Sequence, residues 1–227
     1  MTDTDLKTLV IIPAYNEESR IHRVVNGAAA EGFDVLVVND GSEDGTEVAA
    51  KDGGAEVISL EQNQGKGTAL KKGFEYAIQK GYSTVAIMDG DGQHKASELA
   101  DLVAALDREK CDIVVGNRMN NASNMPFIRR MTNKTTSRII SWLARTRISD
   151  SQSGFRAVRT DVLKNITLTT SRYDTESEML ILAGRKKYII REIPVSTIYG
   201  TGEKSSIRPF IDAARFIKLV IRCLFSR

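Results

Sequence analysis

Short apolar runs alternate along the chain with longer stretches in which apolar residues recur at helical spacing. Leu9–Pro13 (LVIIP), Val35–Asp40 (VLVVND), a segment near Val57 (EVISL), Thr84–Asp89 (TVAIMD) and Asp112–Gly116 (DIVVG) have the continuous Val/Ile-rich character of buried strands. Between them, helices are expected from Glu17, from Asp44, from Thr68 to about Lys80, and from about Ser97 to Leu106. This alternation predicts an α/β fold, a Rossmann-like and mostly parallel sheet with helices on both faces.

After Gly116 the rhythm changes. A polar, proline-containing loop (MNNASNMPF) leads into a basic helix running through Trp142. A β-like segment at SGFRAVR, a helix from about Thr175 to Gly184, a strand YIIREIPV and a terminal helix complete the chain. A length of 227 residues allows one substantial core. Residues 1–206 are therefore expected to form one domain and residues 207–227 a C-terminal amphipathic helix.

Hydrophobic content of 41% and charged content of 27% are ordinary for a folded soluble protein. The formal net charge of +3 does not call for nucleic acid, and no nucleic-acid partner is expected. Much of the basic excess lies after Arg118. Cys111 and Cys223 lack metal-ligand spacing, and the start MTDTDLK lacks the regions of a secretory signal, so a reducing cytosol is the expected setting. There is no apolar run of about 18 residues that would span a bilayer. The terminal segment places Arg208, Asp212, Arg215, Lys218 and Arg222 among Phe210, Ile211, Phe216, Ile217, Val220, Leu224 and Phe225 at helical spacing. That pattern suits either a helix packed on its own domain or one lying in a membrane interface.

Ligands of open parallel sheets sit beyond the carboxyl ends of the strands, so the polar residues there are read first. The first strand runs into Pro13, Tyr15, Asn16 and Glu17, the second into Asp40, Gly41, Ser42, Asp44 and Gly45, and the fourth into Asp89, Gly90, Asp91, Gly92, Gln93 and His94. Carboxylates two apart at a strand end share a face and can hold one hard divalent cation, although Asp and Gly also make ordinary turns. An EF-hand is excluded, because the sixth and twelfth positions counted from Asp89 are His94 and Ala100. In DGSEDGT, a turn with a helix cap supplied by Asp44 or Ser42 is the favoured reading. Lys66 lies between two glycines at a helix entrance, where N–H groups and a cation suit phosphate, and Lys204 in GTGEKSS is placed similarly. Neither segment satisfies the P-loop pattern, and GxGxxG is absent after the first strand.

The matching stretches, in order, are IIPAYNE (11–17), VNDGSEDGT (38–46), NQGKGTAL (63–70), MDGDGQH (88–94), VGNRM (115–119), DSQSGFRAVR (150–159), EIPV (192–195) and GTGEKSS (200–206). Together they resemble the family-two glycosyltransferases of GT-A fold, particularly the polyprenyl or dolichyl phosphate sugar transferases. The resemblance implies a donor nucleotide site lined by Pro13, Ala14, Tyr15, Glu17, Asp40, Lys66, Asp89 and Gly90, with Mg²⁺ or Mn²⁺ surrounded by Asp89, Asp91 and Gln93. Asp89, Asp91, Arg118 and Asp150 are the expected catalytic set. Gly90 stands where relatives often carry Ala or Ser, and the C-terminal transmembrane helices of many relatives are missing from this sequence.

Arg118, Arg129, Arg130 and Lys134 flank the polar loop, and guanidinium forks suit a phosphate that must be oriented. The acceptor phosphate is assigned to Arg118, Arg130, Arg156 and Lys204, while Lys134 fits a solvated helix face better. The reaction implied is inverting transfer of a hexose from a UDP- or GDP-linked donor to a polyprenyl or dolichyl phosphate, giving a β-linked lipid phosphate sugar. The enzyme is then expected to be cytoplasmic, on the cytoplasmic face of a membrane. An acceptor phosphate is already largely anionic at neutral pH and needs little help from a base. A saccharide or other hydroxyl acceptor, the first alternative, would need one, for which Asp150 is the first choice and Glu176 and Glu178 weaker ones; a non-catalytic sugar-nucleotide-binding protein is the second, disfavoured by the presence of Asp89 and Asp91. His22 is read as structural, and His94 as a contact to the diphosphate rather than a metal ligand, since oxygen suits Mg²⁺ better.

Overall fold

In the computed structural model, residues 7–119, 127–198 and 209–225 are described. The central strand β1 (Thr8–Ala14) is buried at every position, because its two faces both meet helices. Leu9 and Ile11 point into one core with Leu36, Val38, Val85 and Ile87, while Val10 and Ile12 point into the other with Val35, Val37, Ala86 and Met88. The period-two alternation of a strand thus serves two hydrophobic layers. Burying each such Leu, Ile or Val side chain contributes about 1.5–3 kcal/mol.

The remaining elements follow as α1 (Glu18–Ala30), β2 (Asp34–Asn39), α2 (Thr46–Asp52), β3 (Glu56–Ser59), α3 (Lys66–Gln79) and β4 (Thr84–Ile87). A 3-10 turn (Ala96–Glu98) precedes α4 (Leu99–Arg108), β5 (Ile113–Asn117) and α5 (Phe127–Ala144). Then come β6 (Arg156–Arg159), α6 (Thr160–Asn165), α7 (Asp174–Arg185), β7 (Ile190–Pro194) and α8 (Pro209–Phe225). The seven strands are ordered β3-β2-β1-β4-β6-β5-β7. All neighbours are parallel except β6, which runs antiparallel to both β4 and β5. The expected α/β architecture is therefore present, and its departure from a plain Rossmann repeat is this reversed strand.

The reversal positions the site. Because β6 starts where β4 and β5 end, with Arg156 beside Ile87 and Val115, it brings the preceding Asp150–Phe155 segment to the carboxyl edge of the sheet. Short helix α6, absent from the sequence reading, follows β6 directly.

Helix α8 turns Leu219 and Cys223 into the core, with Phe216 and Val220 packed beside them. Arg222 pairs with Glu178 of α7 at 2.9 Å. The Arg185 guanidinium donates to Leu143 O at the end of α5 (3.1 Å) and to Cys223 O of α8 (2.6 Å), binding the two helix ends together. Yet Ile217, Ile221 and Leu224 on α8, and Ile128, Met131 and Trp142 on α5, remain exposed. Among the described residues, no helix is long and apolar enough to cross a membrane.

Candidate active site at the carboxyl edge of the sheet

The loops after β1 and β2 interlock. Asn16, at a left-handed φ of 55°, donates its N–H to Ser42 Oγ (2.9 Å) and accepts from Glu43 N at its side-chain oxygen (3.0 Å). Asp44 accepts from Glu18 N (3.2 Å) at the start of α1 and from Thr46 N (3.0 Å) at the start of α2, while Glu17 N donates to Thr46 Oγ1 (2.8 Å). The DGSEDGT segment is thus a turn that satisfies helix-start N–H groups, as favoured from sequence. Pro13 and Ala14 are buried beneath this knot, and Tyr15 stands 43% exposed at its mouth.

Asp40 is buried and accepts from Gln64 N and Gly65 N, both at 2.8 Å. It ties the end of β2 to the entrance of α3. Gly65 has φ +98°, a conformation that a side chain strains. A Cβ at Gly67 would overlap Thr175 Oγ1, and Thr68 N donates to Ser171 O (3.0 Å). The two glycines therefore let residues 171–175 cover the α3 entrance. Of the N–H groups at this helix entrance, those of Gly65 and Thr68 are taken by Asp40 and by Ser171 O.

Lys66, the first residue of α3, instead points its ammonium at Asp89 Oδ1 (2.6 Å) and Glu176 Oε2 (2.9 Å). Burial pushes this ammonium down, but the two carboxylates more than reverse it and hold its pKa above the ordinary lysine value. Burial likewise pushes the Asp89 carboxyl up, and Lys66 and His94 override it to hold Asp89 well below the carboxylate range. His94 Nε2 lies 3.7 Å from Asp89 Oδ2, and its ring stacks on Phe155 at 4.9 Å. A Cβ at Gly154 would collide with the Asp89 carboxylate, so Gly is what lets the reversed strand's approach close on it.

Asp91 sits two residues beyond Asp89 in a turn closed by Gln93 N donating to Asp91 Oδ1 (3.0 Å), with Gly92 at φ +76°. Ile198 N reaches Gln93 O (2.9 Å), and Ser196 N is held by both Glu98 oxygens at 3.1 Å. The segment after β7 is thereby strapped to the acidic loop. Across the crevice, the Glu17 carboxyl is pushed up by burial; Arg20 opposes this, and the negative charges of Asp91 and Asp44 add to it. Glu17 itself is paired with Arg20 through Nε at 2.7 Å.

On the other side, Arg118 forks onto Asp150, with Nε–Oδ2 at 2.9 Å and Nη2–Oδ1 at 3.0 Å. Asn133 of α5 adds a bond to Oδ1 (2.7 Å), and Glu192 of β7 accepts from Ser149 N and Asp150 N at 2.9 Å each.

Residues 9–167 match the model of glycosyl transferase family 2. The chain belongs to that family. It is 35% identical over 213 residues to UDP-N-acetylglucosamine–dolichyl-phosphate N-acetylglucosaminyltransferase of Methanococcus voltae, covering 84% of this chain and 85% of that protein. It is 32% identical over 204 residues to polyprenol monophosphomannose synthase of Mycolicibacterium smegmatis, covering 84% and 77%. The fold matches glucosyl-3-phosphoglycerate synthase of Mycobacterium tuberculosis with a TM-score of 0.75 at 22% identity, over 97% of this chain and 80% of that one. A structure of that synthase in complex with Mn²⁺, UDP and phosphoglyceric acid superposes with a TM-score of 0.74 at 19% identity. The architecture is GT-A.

Within this family 2 site, three sequence assignments need correction. Arg156 is completely buried, and its guanidinium donates to Ser153 O (2.8 Å), Glu176 O (2.7 Å) and Ser151 O (2.8 Å). It braces the loop rather than receiving an acceptor, because its donors are spent on carbonyls that would otherwise be buried unpaired. Asp150 is unsuited to be a general base. Burial pushes its carboxyl up, but hydrogen bonds and charge from Arg118, together with Asn133, hold it below the usual range and cover both oxygens. Glu178 also fails as a base, since Thr169, Thr170 and Arg222 saturate it. Arg130 is partly exposed and Lys134 exposed on α5, whereas Lys204 and the Arg129 side chain lie outside the described residues. Asn133, the second partner of the Asp150 carboxylate, and the contact of Glu176 with Lys66 were not expected from the sequence; no local motif marks either.

Proposed function

We propose that this family 2 glycosyltransferase moves a hexose from a nucleoside diphosphate to a polyprenyl or dolichyl phosphate. The observation that carries the reading is the meeting of Lys66 with Asp89 beside Asp91, at the carboxyl edge where Pro13, Ala14, Tyr15, Glu17, Asp40 and Gly90 also converge. Dolichyl phosphate and polyprenol in the relatives' names supply the acceptor class. The Methanococcus relative uses a UDP sugar, which makes a uridine donor the first to try.

The donor set fits a divalent cation. Asp89, Asp91 and Gln93 offer oxygens from one turn, the ligand type a hard divalent cation takes. Among the described residues, no group of three His, Cys, Asp or Glu side chains forms a complete cage. Diphosphate oxygens and water would therefore finish the shell, as suits Mg²⁺ or Mn²⁺. When bound, the ion supplies charge neutralisation for the departing nucleoside diphosphate.

Arg118 and Arg130, with Lys204, are the proposed acceptor ligands, and Asp150 fixes the plane of the Arg118 fork. An acceptor phosphate oxygen, ionised with a second pKa near about 6, attacks the anomeric carbon opposite the leaving group and inverts it to a β-linkage. No general base is required, in keeping with the saturation of Asp150. The exposed Ile128, Met131 and Trp142 of α5 and Ile217, Ile221 and Leu224 of α8, interspersed with Lys134, Arg138 and Lys218, give the enzyme a face suited to the lipid's bilayer.

The test is transfer of radiolabelled sugar from a panel of UDP and GDP sugars to polyprenyl phosphate or to hydroxyl acceptors, with Mg²⁺ or Mn²⁺. Label in the lipid with one donor supports the reading. Donor turnover with label only in a hydroxyl acceptor replaces it.

A further inference from the structure

Two carboxylates two residues apart on α7 are treated very differently by the fold. Glu178 accepts from Thr169 N and Oγ1, from Thr170 N and Oγ1, and from Arg222, so both its oxygens are engaged. Glu176 is 8% exposed, yet among the described residues only its Oε2 has a donor, the Lys66 ammonium at 2.9 Å. Among the described residues, its Oε1 is buried without a hydrogen-bond partner. A structural carboxylate resembles Glu178, because an unpaired buried acceptor bears its desolvation cost uncompensated.

The position of Glu176 is set by its surroundings rather than by its own bonds. Its carbonyl receives Arg156 Nη1 at 2.7 Å, and the adjacent Thr175 is wedged against Gly67 at the start of α3. This first turn of α7 is therefore rigidly placed against α3 and the loop before β6. Through Lys66, whose Nζ lies 2.6 Å from Asp89 Oδ1, the Glu176 carboxylate stands one ammonium away from the acidic turn at the proposed donor diphosphate. A fixed anionic acceptor beside a fixed ammonium donor is the pairing that grips a polyol, whose hydroxyls both donate and accept.

We infer that Glu176 is a sugar-selecting residue: its Oε1 accepts the hydrogen of a hydroxyl on the hexose being transferred, with Lys66 donating to a neighbouring oxygen of the donor. This rests on the donor reading given above and adds to it the group that distinguishes the sugar from the nucleotide. Hydrogen bonds to a charged acceptor discriminate strongly against analogues lacking the donor hydroxyl, since such an analogue leaves the acceptor unpaired again.

The experiment is calorimetric binding of UDP and UDP-N-acetylglucosamine, and of GDP and GDP-mannose, to the full chain and to Glu176→Gln and Glu176→Ala, with Mn²⁺ and no acceptor. In the wild type one sugar nucleotide binds more tightly than its parent diphosphate. In both variants the affinity for the diphosphate stays within about 2-fold, while that for the sugar nucleotide falls about 10- to 100-fold. A series of monodeoxy donors on the wild type identifies one position whose removal reproduces that loss and adds nothing to it in Glu176→Gln. Equal weakening of diphosphate and sugar nucleotide in the soluble variants would show a purely structural role and overturn the inference, as would unchanged affinity for both. Failure of the wild type to bind either nucleotide pair would instead overturn the donor reading on which it rests.

Discussion

Arg118 and Asp150, 32 positions apart in sequence, meet through a two-pronged fork of 2.9 and 3.0 Å at the carboxyl edge of the sheet. The carboxylate is fully buried and the guanidinium nearly so, with 16% of its side chain exposed. Such a pair does more for direction than for stability, because desolvation offsets much of its attraction. What it fixes is the plane in which Arg118 presents itself.

Asp150→Asn is expected to lower kcat/KM for the lipid phosphate by about 100-fold while donor affinity stays unchanged, since a small misplacement of an orienting group has that effect. Loss of one partner of so enclosed a pair costs about 3 kcal/mol of stability. The pH dependence has a definite sign. Arg118 and Asn133 overcome the upward push of burial and depress the folded pKa of Asp150, so its contribution is present above the unfolded value of about 3.9 and lost as pH falls through the lower folded value. The stability gap between wild type and Asp150→Asn, read from urea melts, should therefore narrow only in strong acid. A gap that closes on the alkaline side would refute the assignment.

Arg156→Lys should destabilise the fold by about 3 kcal/mol or more, since one ammonium cannot replace a planar guanidinium that reaches three backbone carbonyls. Thermal melts measure the loss. An exposed phosphate-binding arginine would tolerate the same change in stability and lose acceptor affinity instead.

Asp91→Ala should abolish metal-stimulated transfer, lowering kcat by at least about 100-fold, with a change in stability of no more than about 1 kcal/mol because the side chain is only partly buried. Titration of Mn²⁺ against the protein with donor diphosphate present, followed by electron paramagnetic resonance, should show the bound fraction lost in the variant. Undiminished Mn²⁺ binding would remove Asp91 from the metal shell.

Trp142→Asp and Ile221→Asp, each on an exposed position, should reduce co-sedimentation with anionic phosphatidylglycerol vesicles by about 10-fold apiece, while leaving donor binding intact. Binding that survives both changes would place the membrane contact elsewhere.

The parallel strands and the polar residues at their carboxyl ends were legible in the sequence, because a doubly buried strand must be continuously apolar and its polar terminus must lie at the sheet edge. Asp40, Asp89 and Asp91 are placed by that logic alone. Helix α8 shows where it stops being enough. Its apolar residues divide between a packed side, with Leu219 and Cys223, and an exposed side, with Ile217, Ile221 and Leu224, and only contact with α5 and α7 decides which is which.

The sequence by itself determined the α/β rhythm, the family motifs and the acidic turn, since these depend on local periodicity and on residues adjacent in the chain. The tertiary structure decided the partners of Arg156, Asp150, Lys66 and Glu176. Each carries a charge whose meaning depends on its partner, and the partners arrive from distant segments through the antiparallel β6 and the first turn of α7. A buried charge must be paired wherever the chain brings a counter-charge or a carbonyl within reach, and that proximity is a property of the fold.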